Sequence, residues 1–247
     1  MSRAGATYVF LGPSLPVDEA RRVLDAIYLP PAAVGDLWRL VRDGRPVRVA
    51  IVDGYFERMA AVWHKEILAA LQARVEVWGA ASMGALRAAE LAPFGMIGVG
   101  RVYAGFRAGR LTDDDEVAVA HLPAAHGYQE VSTAMVELRA GLGRARRAGA
   151  LSPRDHDRLV ALAKARFYRE RSWVQLDRDA ADAGVSRAAR TRLARVVDAA
   201  GARLDVKAAD ARALLRRLAR SPERRPPRPR WRMSRTWFWE RFEEIMA

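Results

Sequence analysis

The sequence predicts an α/β protein. Its core is a Rossmann- or flavodoxin-like parallel sheet with crossover helices, followed by an all-helical carboxyl-terminal region. Three observations lead there. Short apolar runs alternate with helical patterns over the first part of the chain. From about Ser132 the pattern changes to helices only. Val75–Glu90 reads as a strand, a tight small-residue turn and a helix in immediate succession. Strands separated by helices indicate a parallel sheet, and such sheets bind ligands beyond the carboxyl ends of their strands.

The elements follow in order. Thr7–Leu11 reads as a strand stopped by Gly12-Pro13-Ser14, and Val17–Asp25 as a helix with Asp18 as a candidate cap. Ile27–Leu29 is a short strand ended by Pro30-Pro31, and Ala32–Arg42 a helix. Val47–Val52 is the clearest buried strand, closed by Asp53-Gly54. A helix through Val62–Ala70, the Val75–Trp78 strand and a strand within Met96–Val102 complete the core. Thr133–Arg147, Pro153–Arg171, Ala188–Ala200 and Ala208–Ala219 read as helices, the second with a first-turn proline. Ser221–Pro229 is a Pro/Arg-rich linker with extended character. Trp237–Met246 is an aromatic amphipathic helix, read as core, dimer contact or docking surface. The expected division is 1–131 for the α/β core, 132–220 for the helical region and 221–247 for linker and final helix.

Composition narrows the function classes. The chain has 247 residues, 51% of them hydrophobic, enough to bury a sizeable core. No apolar run approaches the roughly 20 residues that span a bilayer, so no membrane association is expected. With no cysteine, disulfides, thiolate metal sites and cysteine nucleophiles are excluded, and a cytoplasmic setting is expected. The net charge is +13 and unevenly spread. Residues 136–247 carry 28 Lys/Arg against 14 Asp/Glu, whereas residues 1–135 carry 14 against 15. That asymmetry suggests that the rear half meets an acidic partner. Nucleic acid would satisfy it, but no recognisable reading motif accompanies the charge, so it is the weaker reading.

The turn Ala80-Ala81-Ser82-Met83-Gly84 is an A-x-S-x-G elbow, close to the G-x-S-x-G pattern that exposes a serine at a strand's end. Ser82 is a candidate nucleophile. The same small residues also suit a turn that lets strand and helix pack closely. A serine nucleophile needs a base, and His64 is the candidate nearest in the pattern. His64 also reads as an ordinary helical histidine beside Trp63. Asp53, at the end of a buried strand, is placed to orient an imidazole or to bond nearby turn N–H groups. Met83, Gly84 and the Gly12–Leu15 loop, with Gly12 and Ser14, are candidates for oxyanion or substrate contacts, as is Arg87. Thr112 followed by Asp113-Asp114-Asp115-Glu116 reads as a capped acidic first turn. The alternatives are a magnesium site or a carboxylate partner for His121, with Asp115 and Glu116 as secondary candidates. No histidine spacing indicates a metal site, and no Walker or dinucleotide-binding loop is present. Neither metal nor cofactor is expected.

Read together, several ordered stretches resemble the core of the TfuA-like family: Phe10–Ser14, Pro30-Pro31-Ala32 with Gly35-Asp36, Asp53-Gly54-Tyr55-Phe56-Glu57, Val62–Glu66 and Gly79–Ala88. Phe94-Gly95-Met96, Asp114–Val119 and His121 extend the likeness to about residue 140. Ala80–Ala85 separately looks like the active-serine segment of Clp-type peptidases. The resemblance implies a partner of a YcaO enzyme in thioamidation of ribosomally made, post-translationally modified peptides. It also implies release of sulfide by hydrolysing the carboxyl-terminal thiocarboxylate of a ThiS-type, ubiquitin-like sulfur carrier. Ser82, His64 and Asp53 are then the catalytic candidates. A non-catalytic YcaO adaptor is the alternative, a basic nucleic-acid-binding protein the third reading, and a homo-oligomer stays open. One departure from the expected pattern is Ala60, where a helix-starting proline is expected.

Overall fold

The computed structural model describes residues 6–56 and 59–246. Glu57, quoted in the motif above, lies outside the described residues. The chain divides into two compact units, one of Met1–Leu111 with Asp210–Ala247 and one of Thr112–Ala209.

In the first unit β1 (Thr7–Phe10), β2 (Ile27–Leu29), β3 (Arg48–Ile51), β4 (Glu76–Ala80) and β5 (Ile97–Val99) form one sheet in the order β2-β1-β3-β4-β5. Every pairing is parallel. β1, β3 and β4 are buried nearly throughout, which explains why they read as continuous apolar runs and not as alternating ones. The crossover helices are α1 (Val17–Val23), α2 (Asp36–Arg39), α3 (His64–Gln72) and α4 (Met83–Leu91), with α5 (Arg101–Arg107) following β5. Because the chain passes from β2 back over β1 to β3, right-handed connections put α1 on one face and α2–α4 on the other. The core joins Tyr8, Phe10, Val49, Ile51 and Val77 of the sheet to Ile67 of α3 and Met83 and Leu86 of α4.

Backbone contacts set the spacing of these layers. The Gly84 N–H donates to the Val52 carbonyl at 3.2 Å. A Cβ on Gly84 would sit 1.7 Å from the Ile51 carbonyl oxygen, and one on Gly79 would sit 2.0 Å from the Gly84 carbonyl oxygen. Only glycine lets α4 lie against both strands at this distance.

The second unit is helical: α6 (Met135–Arg147), α7 (Pro153–Ala165), α8 (Trp173–Asp182) and α9 (Arg187–Ala200). Leu138, Leu142, Leu159, Leu176 and Leu193 form its centre. Pro153 opens α7 as expected, and Ser152 caps it by accepting from the Asp155 N–H at 3.0 Å. Lys207 is fully buried and its ammonium meets Glu130 at 2.7 Å. Burial pushes the nearby Glu137 carboxyl up to about 8; Glu130 and Asp205 push the same way against Lys207. α10 (Val206–Arg220) crosses the boundary between the units, and α11 (Trp237–Met246) ends the chain.

Several local expectations are corrected. The helix expected over Ala32–Arg42 is one α turn that widens into a π-type turn at Leu40–Gly44, because Ala32 and Ala33 pair with Gly54 and Ala61 instead. Asp18 does not cap α1, which starts after Pro16 without a side-chain cap. Thr112 caps no helix either: the acidic run is one 3₁₀ turn at Asp114–Glu116, flanked by Asp113. The helix expected from Pro153 to Arg171 stops at Ala165, and α5 and α8 were not anticipated. Among the described residues no helix is long and apolar enough to cross a membrane.

Gly84→Ala should cost several kcal/mol by thermal melting, because the obstacle is backbone. Gly143→Ala in α6 would meet only the tip of Arg147 at 3.3 Å and should stabilise by up to about 1 kcal/mol. For Glu137 the folded state holds its proton more tightly than the unfolded chain does. Its stabilising contribution is therefore complete below about pH 4.5 and lost as pH rises through about 8. Melting temperatures across that window should fall with pH, and Glu137→Gln should flatten the slope.

Candidate functional site

The carboxyl ends of β1, β3 and β4 converge through three loops. In a 2-1-3-4-5 sheet the connections reverse direction between β1 and β3, and ligand sites form there. Asp53, just past β3, is 1% exposed. Its carboxylate accepts from the Gly12 N–H (2.8 Å), the Ser14 N–H (3.1 Å) and the Ser14 hydroxyl (2.6 Å). The loop after β1 is thus wrapped around a carboxylate from β3. The neighbouring Gly54 lies against Met83, the first residue of α4, where an added Cβ would come within 2.8 Å of Met83 Cγ.

Ser82 lies at the end of β4, 4% exposed, as the residue before α4. Its N–H donates to the Ala80 carbonyl at 2.8 Å around Ala81, whose φ is +66°. That is a γ-turn of the rarer, strained hand at a non-glycine residue. Backbone strain of this kind costs about 1–3 kcal/mol and persists where surrounding structure enforces it, often at functional sites. Here the enforcement is the packing of Gly79 and Gly84. The Ser82 carbonyl accepts from the Ala85 and Leu86 N–H groups, and Gly84 donates to Val52. Met83 therefore supplies the first-turn N–H of α4 left without a partner among the described residues.

His64 opens α3. Its position is fixed by Glu66, which is fully buried and accepts from the Trp63, Gly35 and Trp38 N–H groups. Burial holds the Glu66 carboxyl above its usual range despite those three donors. The His64 imidazole is half-exposed, and its Nε2 lies 2.8 Å from Glu90 Oε2. Arg87 donates to the same oxygen at 2.8 Å and through Nε to the Val62 carbonyl at 3.2 Å. Burial raises the Glu90 carboxyl, but the bonds from His64 and Arg87 outweigh it and hold it below the ordinary range. A carboxylate only accepts, so toward Glu90 Nε2 is the donor and Nδ1 the acceptor; Arg87 Nη1, which only donates, lies farther from the same Nε2, at 3.3 Å.

The predicted catalytic residues are therefore brought together only in part. Ser82 and Asp53 sit on adjacent strand ends, and His64 sits at the same edge of the sheet. Asp53 does not orient His64: its oxygens are engaged by Gly12 and Ser14, and the carboxylate on the imidazole is Glu90. Arg87 and Glu90 follow Ser82 by five and eight residues, about 7.5 and 12 Å along a helix rising 1.5 Å per residue. The imidazole is thus drawn along α4, away from the serine. The N–H groups of Gly12, Ser14 and Gly84 are committed within the protein; that of Met83 is the available donor. Glu66 and Glu90 were not singled out from sequence, although Glu66 lay in the quoted motif. Glu90 lies on α4, eight residues beyond the elbow serine that precedes that helix.

The secondary candidates form a separate ion-pair cluster in the second unit. Carboxylate oxygens of Asp113, Asp115 and Glu116 lie within 4.8 Å of one another. Lys164 bonds Asp115 and reaches Asp113 at 2.9 Å, Arg171 bonds Asp115, and Arg139 grips Glu116 through two 2.8 Å bonds. Burial raises the Asp115 carboxyl, but the bonds from Lys164 and Arg171 outweigh it, so it stays below its usual range. His121 is not paired with Glu116; its Nδ1 faces the Leu122 carbonyl at 2.9 Å and its ring meets Tyr128 edge-on.

Fold and site define a flavodoxin-like α/β protein with a strained serine turn at the carboxyl edge of its sheet. Residues 53–172 match the family model described as TfuA-like protein, which supports the TfuA-like resemblance of the sequence. None of the curated proteins matches it.

Removing the Ser14 hydroxyl tests the loop clamp. A hydrogen bond to a charged group contributes about 1.5–3 kcal/mol, and Ser14→Ala should lower stability by that order in denaturant titration. Asp53→Ala, which orphans three donors, should cost more.

Proposed function

We propose that this protein is a sulfide-releasing partner of a YcaO enzyme, acting on the carboxyl-terminal thiocarboxylate of a ThiS-type carrier. The reaction type is read from the elbow, and the pathway from the family resemblance. The observation that carries the mechanism is the strained turn at Ala81, which fixes Ser82 at a strand end beside an unengaged Met83 N–H. Ser82 attacks the thioacyl carbon, a C–O bond forms, and the C–S bond breaks to expel sulfide. Water then cleaves the acyl ester, so that thiocarboxylate and water give carboxylate and sulfide. His64 accepts the serine proton at Nδ1, through a bridging water or after the side chain swings from Glu90. Glu90 sets the imidazole's tautomer, and Arg87 holds Glu90. The Met83 N–H supports the oxyanion; one such donor is worth roughly 10²–10³ in rate in other enzymes. Asp53 keeps the β1 loop closed over the strand ends.

The rival is a non-catalytic adaptor for the YcaO enzyme. It is favoured by the packing at Gly79 and Gly84, which accounts for most of the small-residue pattern without any chemistry. Sulfide release from carrier thiocarboxylate separates the two. Ser82→Ala should abolish release. His64→Ala should reduce it by about 10²-fold or more, the low end for a general base. Full release by Ser82→Ala removes the nucleophile, and no release by the native chain favours the adaptor.

A further inference from the structure

Residues 221–236 form no helix or strand, yet they are tied along the first unit. Arg48, 1% exposed, donates to the Pro222 carbonyl at 2.7 Å. Arg74 Nε donates to the Pro226 carbonyl at 3.0 Å, and Lys65 to the Ser234 carbonyl at 3.0 Å. Trp231 donates to the Phe94 carbonyl at 3.1 Å and meets the Phe94 ring edge-on. α11 then seats Phe242 against Trp38 and Trp63. The anchoring cations belong to the sheet, α3 and the turn after it, and they grip strap carbonyls, with Lys65 also donating to the Thr236 hydroxyl.

The strap's own arginines are left over. Arg224, Arg225, Arg228, Arg230 and Arg232 are exposed, and none has an ion-pair partner among the described residues. No Asp or Glu occurs from 224 to 239. Pro226, Pro227 and Pro229 favour an extended chain of about 3.1 Å per residue, so the five guanidiniums line roughly 25 Å. Nothing in the fold uses this charge, and like charges held in a row repel.

We propose that this arginine ribbon is a docking surface for an acidic protein, the carrier of the proposed reaction; the choice of carrier rests on that reading. The ribbon leads towards Lys65 and Trp63, the neighbours of His64. A substrate whose reacting group ends a chain gains affinity from contacts remote from that group. The far end of the strap favours a protein over a polyphosphate. Trp237 and Phe238 are exposed there, and Glu240, Glu243 and Glu244 share their helix. A protein surface offers carboxylates, an apolar patch and basic residues together; a phosphate polymer offers one sign of charge and would meet those glutamates.

The test substitutes all five ribbon arginines by glutamine and measures binding of the carrier in its plain carboxylate form by calorimetry. Melting should be unchanged because the anchors remain. Affinity should fall about tenfold or more, and KM for sulfide release should rise with kcat unchanged, as expected for contacts that bind without reacting. Substituting Arg147, Arg154, Arg158, Arg187 and Arg195 instead should leave affinity within about twofold, in keeping with the small effect of unpartnered surface charge. Equal losses in both variants overturn the proposal, as does absence of carrier binding by the native chain. Tighter binding of a single-stranded RNA than of carrier overturns it in favour of nucleic acid. Ribbon-dependent binding without sulfide release upholds the ribbon and removes the hydrolytic reading; release that ignores the ribbon does the reverse.

Discussion

One contact governs the architecture: the backbone of α4 lies directly on the ends of β3 and β4, with no side chain between. Gly84 donates to Val52, and the atoms nearest to where a Cβ would stand at Gly79 and Gly84 are main-chain ones. Everything at the carboxyl edge follows from that approach. It forces the chain to leave β4 through a single-residue turn, which puts Ala81 into a backbone conformation that side-chain-bearing residues rarely adopt. It also brings Met83 against Gly54, so that the loops after β3 and β4 share one wall.

The edge is then furnished by carboxylates that act as surrogate ligands for the chain's own N–H groups. Asp53 gathers the β1 loop, Glu66 gathers the starts of α2 and α3, and Asp210 gathers the start of α5 through the Arg101 and Val102 N–H groups. Each is buried, and desolvation raises the carboxyls of Glu66 and Asp210 even though N–H donors pull the other way. The half-exposed Glu90 differs: its donors are the cationic Arg87 and an imidazole, and its carboxyl is lowered. The two kinds of carboxylate differ in what donates to them: backbone N–H groups in one, charged or titratable side chains in the other.

Much of this was legible in the sequence for a physical reason. β1, β3 and β4 are buried on both faces and so appear as unbroken apolar runs, and the elbow announces itself because only small residues tolerate main-chain contact. The start of α2 was misread because Ala32 and Ala33 satisfy helical periodicity while their backbones pair with Gly54 and Ala61, a non-local choice that periodicity does not register. The acidic run was misread because its charges answer to Lys164, Arg171 and Arg139, distant in sequence, and not to a helix dipole. The imidazole's partner was misplaced for a related reason. Asp53 looked suitable by its position, but two N–H groups and a hydroxyl of the β1 loop claim its oxygens first.

The first unit is discontinuous in sequence, and this bears on its biosynthesis. Asp210 closes the start of α5, Arg212 pairs with Glu19 of α1, and carbonyls in the last turn of α10 and just beyond it receive the buried Arg48. While the ribosome is still making residue 209, a chain that already holds all five strands lacks these three partners. The first unit is therefore completed only after residues 112–209 have been made, and until then Arg48 keeps Glu76 but lacks its carbonyl partners, and the start of α5 lacks its cap.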